Sequence, residues 1–271
     1  MSDAPTATFH ALHRPGAPFI LANAWDAGSA RMLVALGARA IATSSAAHAF
    51  TLGRPDGQVT RDEAMAHAQD MMAAVTVPVS GDFENGWGDD PDTVAETVRM
   101  AGKIGLAGIC IEDVSLGGSS AYDRDLAVER IRAGAAAARA LGRDFVLMAR
   151  ADGVMTGHYA LPEALKRVRG FEEAGADGIY VPMPGTPADL RAVVAATSLP
   201  VNALAAGPFA ALSLAEFAAM GVARVSLGSA LARVTHRAIH DSARAMFEDG
   251  DFSPLGKGMP GGAVDDLLRG A

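Results

Sequence analysis

Four times along this chain a glycine closes a helical stretch and an apolar run follows: LGARAIATSS after Gly37, IGLAGICIED after Gly105, AGADGIYVPM after Gly175 and MGVARVSLGS after Gly221. A glycine just past a helix takes the left-handed cap conformation at low cost, and Val/Ile/Ala-rich runs suit strands covered on both faces. A second kind of strand begins at or near proline, in PFILANAWD, PVSGDFE and PVNALAAG, with FVLMARAD as a variant lacking the proline. Interleaved, the two kinds predict eight strands, at residues 18–24, 39–44, 77–82, 107–112, 145–150, 178–182, 200–203 and 223–227. Helical stretches such as TRDEAMAHAQDMMAAV and LAVERIRAGAAAARAL separate them.

Eight strands alternating with helices over 271 residues favour an α/β fold of the closed parallel (β/α)8 TIM-barrel type over an open doubly wound sheet. An open sheet normally carries a Gly-rich phosphate turn after its first strand, and NAWDAGSAR does not fit that turn. The chain therefore reads as one barrel domain, 1–271, with 229–271 as a C-terminal helical tail. The tail comprises a long helix at about 229–248, the Gly/Pro-rich GDFSPLGKGMPGG and the short amphipathic AVDDLLRG. These pieces cannot complete the barrel core, so they are expected to cap it or to dock on a neighbouring subunit.

A formal net charge of −8 gives no basic face for nucleic acid. The N-terminal MSDAPTATFHALHRPG has neither a basic segment nor an apolar one, and no apolar run approaches the ~18 residues of a membrane span. A cytoplasmic protein is the expectation. The single cysteine, Cys110, has no partner within the chain and reads as a small core residue.

In such a barrel the site lies at the C-terminal ends of the strands. Those ends carry Asn23, Trp25 and Asp26; Thr43, Ser44 and Ser45; Asp82 and Glu84; Glu112 and Asp113; Arg150 and Asp152; and Asn202. Acids predominate, and carboxylates converging on one mouth repel each other unless a cation sits among them. Hard oxygen ligands and few histidines point to Mg2+ or Mn2+ rather than zinc. Asp89, Asp90 and Asp92 stand just before TVAETVRM and read instead as helix N-terminal residues. Arg150 is suited to fork onto a substrate carboxylate or oxo group, the structural alternative being an ion pair with Asp152 or Glu112. Ser44 and Ser45 begin a loop whose N–H groups are placed to hold further carboxylate oxygens. His236 and His240, one turn apart in the tail helix, read as a solvated or interface pair.

With these residues placed, the chain resembles the isocitrate lyase/phosphoenolpyruvate mutase superfamily. The matching pieces are Thr43-Ser44-Ser45, GRPDGQVT with Asp56, GDFENGWG, GICIEDV, LMARAD and VNA, in this order over nearly the whole chain. The resemblance implies making or breaking of C–C or P–C bonds beside a 2-oxo acid, with Mg2+ (or Mn2+) stabilising an enolate. It implies Asp82 as the direct metal ligand, with Glu84, Glu112 and Asp56 holding the ion through water. Arg150, Asp56 and Glu112 would be the catalytic residues, and Trp25, Thr43, Ser44, Ser45, Arg150 and Asn202 would bind substrate. It further implies a homo-oligomer, dimer or tetramer, with the eighth helix crossing to a partner.

The departures restrict the reaction. The segment after the fourth strand, EDVSLGGSSAYDRD, lacks the lysine, cysteine and histidine of isocitrate-type lyases, and NALAAG lacks their Thr-Glu extension. Isocitrate and methylisocitrate cleavage are therefore set aside. Mutase and phosphonopyruvate hydrolase chemistry are disfavoured by the missing gate lysine and by Pro182 where a histidine is expected. The expectation is a lyase or decarboxylase for a small 2-oxo or related dicarboxylic acid of the oxaloacetate kind. The alternatives are phosphonopyruvate hydrolysis and a catalytically silent 2-oxo acid binding or sensing protein. Ser119, Ser120 and Tyr122 are the only gate residues suited to deliver a proton.

Overall fold

The structure, a computed structural model, describes residues 8–270. Eight parallel strands close on themselves in chain order: β1 (Phe19–Asn23), β2 (Ile41–Ala42), β3 (Val79–Asp82), β4 (Gly108–Glu112), β5 (Val146–Arg150), β6 (Gly178–Tyr180), β7 (Val201–Leu204) and β8 (Arg224–Ser226). Closure is made by β8 on β1, with Phe19 opposite Arg224 and Leu21 opposite Ser226. All eight strands fall inside the segments predicted from sequence or within one residue of them, the second being the most shortened.

Helices fill the return paths: α1 (Ala27–Ala35), α2 (Ser45–Thr51), α3 (Arg61–Ala74), α4 (Pro91–Ile104), α5 (Arg124–Ala140), α6 (Gly153–Thr156), α7 (Leu161–Glu173), α8 (Pro187–Ala195), α9 (Leu214–Ala219), α10 (Ala230–Asp249) and α11 (Gly261–Arg269). Their starts are written in the sequence. Asp26, Thr60, Thr186 and Ser213 each form a capping box, and Asp90 caps α4 ahead of Pro91 at its first position. That confirms the N-terminal reading of Asp90.

Side chains alternate across a strand, so parity decides which residues see the lumen. Ile109, Ile111, Leu147, Ile179, Val201 and Val225 point outward and meet the helices in the main core. Leu21, Ala42, Cys110, Met148 and Tyr180 form the inner cluster, closed below by Phe9 and Leu12 from the short turn His10–Leu12. Two residues further along the same parity stand Asn23, Glu112 and Arg150, at the mouth.

The tail folds back on the barrel through α11, which packs against α1 and receives Arg31 Nη1 on the Leu268 carbonyl at 3.1 Å. Helix α10 is different, since Ala232 is its one buried residue and Val234, Ile239 and Phe247 are exposed. No helix of the described residues is long and apolar enough to cross a membrane.

Candidate active site

A cavity of about 460 Å³ opens at the C-terminal mouth of the barrel. At its centre is Arg150, the last residue of β5. Its Nε and Nη2 grip Asp152 Oδ1 and Oδ2 at 3.0 and 2.6 Å, while Nη1 reaches both Asp82 Oδ1 and Glu112 Oε1 at 2.9 Å. The ion pair with Asp152 is therefore present, but it leaves one guanidinium nitrogen to draw the tips of β3 and β4 together. Asp82 and Glu112, 30 residues apart in sequence, share that nitrogen.

The opposite side of Asp82 is held by the segment after β2. Ser45 donates to Asp82 Oδ2 from both its backbone N–H (3.0 Å) and its hydroxyl (3.1 Å), and Thr43 Oγ1 accepts from the Asp82 backbone N–H at 2.8 Å. Ser44 caps α2, accepting from the Ala47 N–H. Thr43, Ser44 and Ser45 all line the cavity, as do Asp56, Glu84 and Asn23.

The carboxylates here are strained electrostatically. Glu84 is 5% exposed, and burial, then the charges of Asp82 and Asp56, push its pKa up to about 8. Its Oε1 has no hydrogen-bond partner, and its backbone sits at φ 44°, an uncommon region for a residue with a side chain. Asp56 is raised by burial and by Asp82. Glu112 lies well above the ordinary range because burial outweighs the attraction of Arg150.

Two expected substrate residues lie off the cavity. Trp25 faces a separate hollow beside His48 and His67, because the Asp26 capping box turns the chain and His67 Nε2 bonds the Trp25 carbonyl at 3.0 Å. Asn202 is fully buried; β7 runs on to Leu204, leaving Asn202 a layer below the mouth, where its amide donates to Ser226 Oγ and accepts from Arg224 Nε.

The gate after β4 is folded over the mouth. Gly117 and Gly118 line the cavity, and His158 Nε2 lies 2.7 Å from the Gly118 carbonyl. Ser119, Ser120 and Tyr122 do not line it: Ser119 and Ser120 bond Ser115, while Tyr122 donates to Asp89 Oδ1 at 2.6 Å and accepts from Asn85.

Sequence reading passed over three arginines. Arg130 of α5, 1% exposed, holds the GDFENGWG loop through the Asn85 and Gly88 carbonyls and ties it to the Glu112 carbonyl. Its position on the buried stripe of α5, one residue before Ile131, was the available signal. Arg224 and Arg233 line the cavity at its inner end and on α10.

A closed (β/α)8 barrel with an acidic, arginine-bridged mouth defines a class of barrel that receives small anionic ligands at its strand tips. The comparisons narrow it. The family model for phosphoenolpyruvate phosphomutase matches residues 9–247. A solved structure from Burkholderia cenocepacia J2315, assigned only provisionally as a lyase/mutase, superposes with TM-score 0.92 at 42% identity over 97% of this chain and 95% of that one. An uncharacterised protein of Mycobacterium tuberculosis (strain H37Rv) is 35% identical over 91% of each chain. An oxaloacetate decarboxylase of Paraburkholderia xenovorans (strain LB400) is 30% identical over 93% of this chain and 84% of its own. The chain belongs to the phosphoenolpyruvate phosphomutase family, within the isocitrate lyase/phosphoenolpyruvate mutase superfamily, whose members are lyases or mutases acting on small acids.

Proposed function

We propose that this protein is a Mg2+-dependent lyase or decarboxylase that cleaves a C–C bond in a small 2-oxo or related dicarboxylic acid of the oxaloacetate kind. The observation that carries the reading is the pairing of Asp82 and Glu112 on one nitrogen of Arg150, with the orphaned Glu84 Oε1 in the same cavity.

The donor set fits a hard divalent ion. The candidate ligands are all carboxylate oxygens, and the buried, partnerless Glu84 oxygen has the lone pairs that an ion or its water would take. Among the described residues no three acidic, histidine or cysteine side chains converge on one point. An ion held here would therefore have to complete its shell with water and substrate oxygens, as Mg2+ does. Asp82 would hold the ion directly, with Glu84, Glu112 and Asp56 acting through water. When bound, the ion supplies positive charge beside the substrate's oxo and carboxylate oxygens, where negative charge develops as the bond breaks.

The chain's own groups do the rest. Arg150 and the Ser44 N–H orient the oxo-acid head, Ser45 holds Asp82 in place from its N–H and hydroxyl, and the gate excludes water. No lysine or histidine lines the cavity among the described residues. That favours decarboxylation or a similarly simple cleavage, in which a departing CO2 needs no acid and a proton from water completes the reaction.

Turnover of an oxaloacetate-centred panel before and after EDTA treatment, with Mg2+ added back, tests this. Activity that disappears with EDTA and returns with Mg2+ is expected, and Asp82→Ala should abolish both turnover and metal binding. Full activity in the stripped protein would overturn the reading. A silent oxo-acid binding protein is favoured by one observation, the engagement of Ser119, Ser120 and Tyr122 away from the cavity; tight binding without product from the whole panel would select it. The reading includes a homo-oligomer in which α10 meets a second copy.

A further inference from the structure

We propose that the barrel lumen beneath the candidate active site holds a small monovalent anion of chloride size, on Arg224 and Ser80. The inference goes beyond the oxo-acid reading and does not depend on it.

A (β/α)8 barrel ordinarily fills its lumen with layers of four side chains from alternate strands, most of them bulky and branched. This lumen is built otherwise. The strand registers place Ala40, Gly108, Gly178 and Arg224 in one layer, three layers below the tip layer of Asn23, Asp82, Arg150 and Leu204. Between the two, Ala42, Ser80 and Ser226 are small as well. The space they leave is continuous with the mouth, because Ala42, Ser80, Ser226 and Arg224 all line its cavity.

At the floor of that space stands a cation without a counter-charge. Arg224 is 4% exposed, and its Nε donates to Asn202 Oδ1 at 2.8 Å. Its Nη1 lies 3.4 Å from His13 Nε2. His13 Nδ1 is 2.9 Å from the Phe9 carbonyl and so carries the ring proton, leaving Nε2 with a lone pair but no charge. Among the described residues Nη2 has no partner and no carboxylate pairs with the guanidinium. Burial pulls its pKa down to about 10, as for a cation whose charge is unmatched. The acids of the cavity are elsewhere: Asp82 and Glu112 end their strands, and Asp56, Glu84 and Asp152 lie in the loops beyond.

A second donor faces the same space. The Ser80 hydroxyl, on a residue 4% exposed, makes no hydrogen bond among the described residues and stands one layer above Arg224 on the facing side of the lumen. An anion between the two supplies the charge that Arg224 lacks and takes both free donors. One cation and one hydroxyl match a single negative charge. Phe9 and Phe19 close the floor, and Leu21 and Met148 narrow the lumen above it, which restricts the occupant to a few atoms.

The test needs neither Mg2+ nor an oxo acid. The full chain is dialysed into sodium gluconate, whose anion is too bulky for the lumen, and chloride is exchanged in at constant ionic strength while melting is followed by circular dichroism. Wild type should show a saturable rise in melting temperature with chloride and none with sulfate. Arg224→Met should lose the saturable rise. Ser80→Ala should raise the half-saturating chloride concentration roughly tenfold, the loss of one hydrogen bond to an ion. Crystals grown in bromide should show its anomalous signal in the lumen beside Arg224. No saturable rise in wild type, an equal rise in Arg224→Met, or bromide at the surface alone, an adventitious ion only, would overturn the assignment. Should Arg224→Met fail to fold, the bromide map of wild type and the Ser80→Ala titration decide by themselves. Because no oxo acid is present, failure here leaves the lyase reading standing, and an absence of oxaloacetate turnover leaves this inference standing.

Discussion

Asp113 shows how the mouth is held from behind. It is 2% exposed; Oδ1 accepts from the Asp152 backbone N–H at 2.8 Å, and Oδ2 accepts from Arg167 Nη1 at 3.0 Å and from the Tyr159 hydroxyl at 2.5 Å. Removing it takes one of two carboxylates from the buried Arg167, whose Nε keeps Glu163 Oε1 at 3.2 Å, strands the Tyr159 hydroxyl and unties Asp152, the partner of Arg150. Asp113→Ala should lower stability by about 2–4 kcal/mol, for one buried ion pair lost and two buried donors left unpaired, read as a shift in the urea midpoint. A shift under about 1 kcal/mol would contradict this account. His13 makes a pH prediction at the same scale. Burial, then the nearby Arg224 charge, lowers its pKa to about 3, against an ordinary 6.5. Between those values the unfolded chain binds the proton and the folded one does not, so stability is full above about pH 6.5 and falls as pH drops toward 3. The loss approaches about 4 kcal/mol for this group. His13→Asn should flatten that limb of a pH–stability curve; an unchanged limb would assign it elsewhere.

At the scale of elements, the gate and the loop after α2 are fitted to each other by glycine. Gly57 has φ 77°, and a Cβ there would come within 2.9 Å of Gly117 Cα. Gly57→Ala should therefore hold the gate off the mouth. We expect kcat/KM to fall by about tenfold or more, because a displaced lid no longer excludes water, with a melting shift of only about a degree or two. An unchanged kcat/KM would mean that the gate is not part of the working site. This pairing was not legible in the sequence, since two glycines 60 residues apart carry no mutual signal. The strands were legible because each is a short apolar run between a helix cap and a polar tip, all local features. Asp82, Glu112 and Arg150 were legible for the same reason, being charges that end apolar strands, and Glu84 by its place two residues past the tip of β3. Arg224 was not: a charge that opens a strand reads as surface, and only barrel closure, which is nonlocal, puts it in the lumen. Trp25 failed in the other direction, its place at a strand tip suggesting the mouth until the α1 cap turned it aside.

At the scale of the whole molecule the asymmetry lies in the tail. The barrel's exposed large apolar side chains, Ile20, Leu36 and Leu214 among them, are spread over separate elements, while α10 and the segment after it expose Val234, Ile239, Phe247, Phe252 and Leu255. Single exposed apolar side chains are ordinary, but a run of them along one tail is the kind of surface that the proposed second copy would cover. Arg233 lies on the first turn of that helix and Phe247 near its far end, so the proposed second copy has apolar surface to cover beyond the residue that lines the cavity. Fully burying a side chain such as Ile239 or Phe247 contributes about 1.5–3 kcal/mol, and a two-fold contact counts each one twice. Ile239→Glu combined with Phe247→Glu should therefore raise the dissociation constant by at least about a hundredfold. Sedimentation velocity across a dilution series would read this as a shift to monomer, while far-UV circular dichroism keeps the barrel's signal. If wild type sedimented as a monomer at high concentration, or the double variant kept its assembly, α10 would not be the contact and the apolar tail would need another occupant.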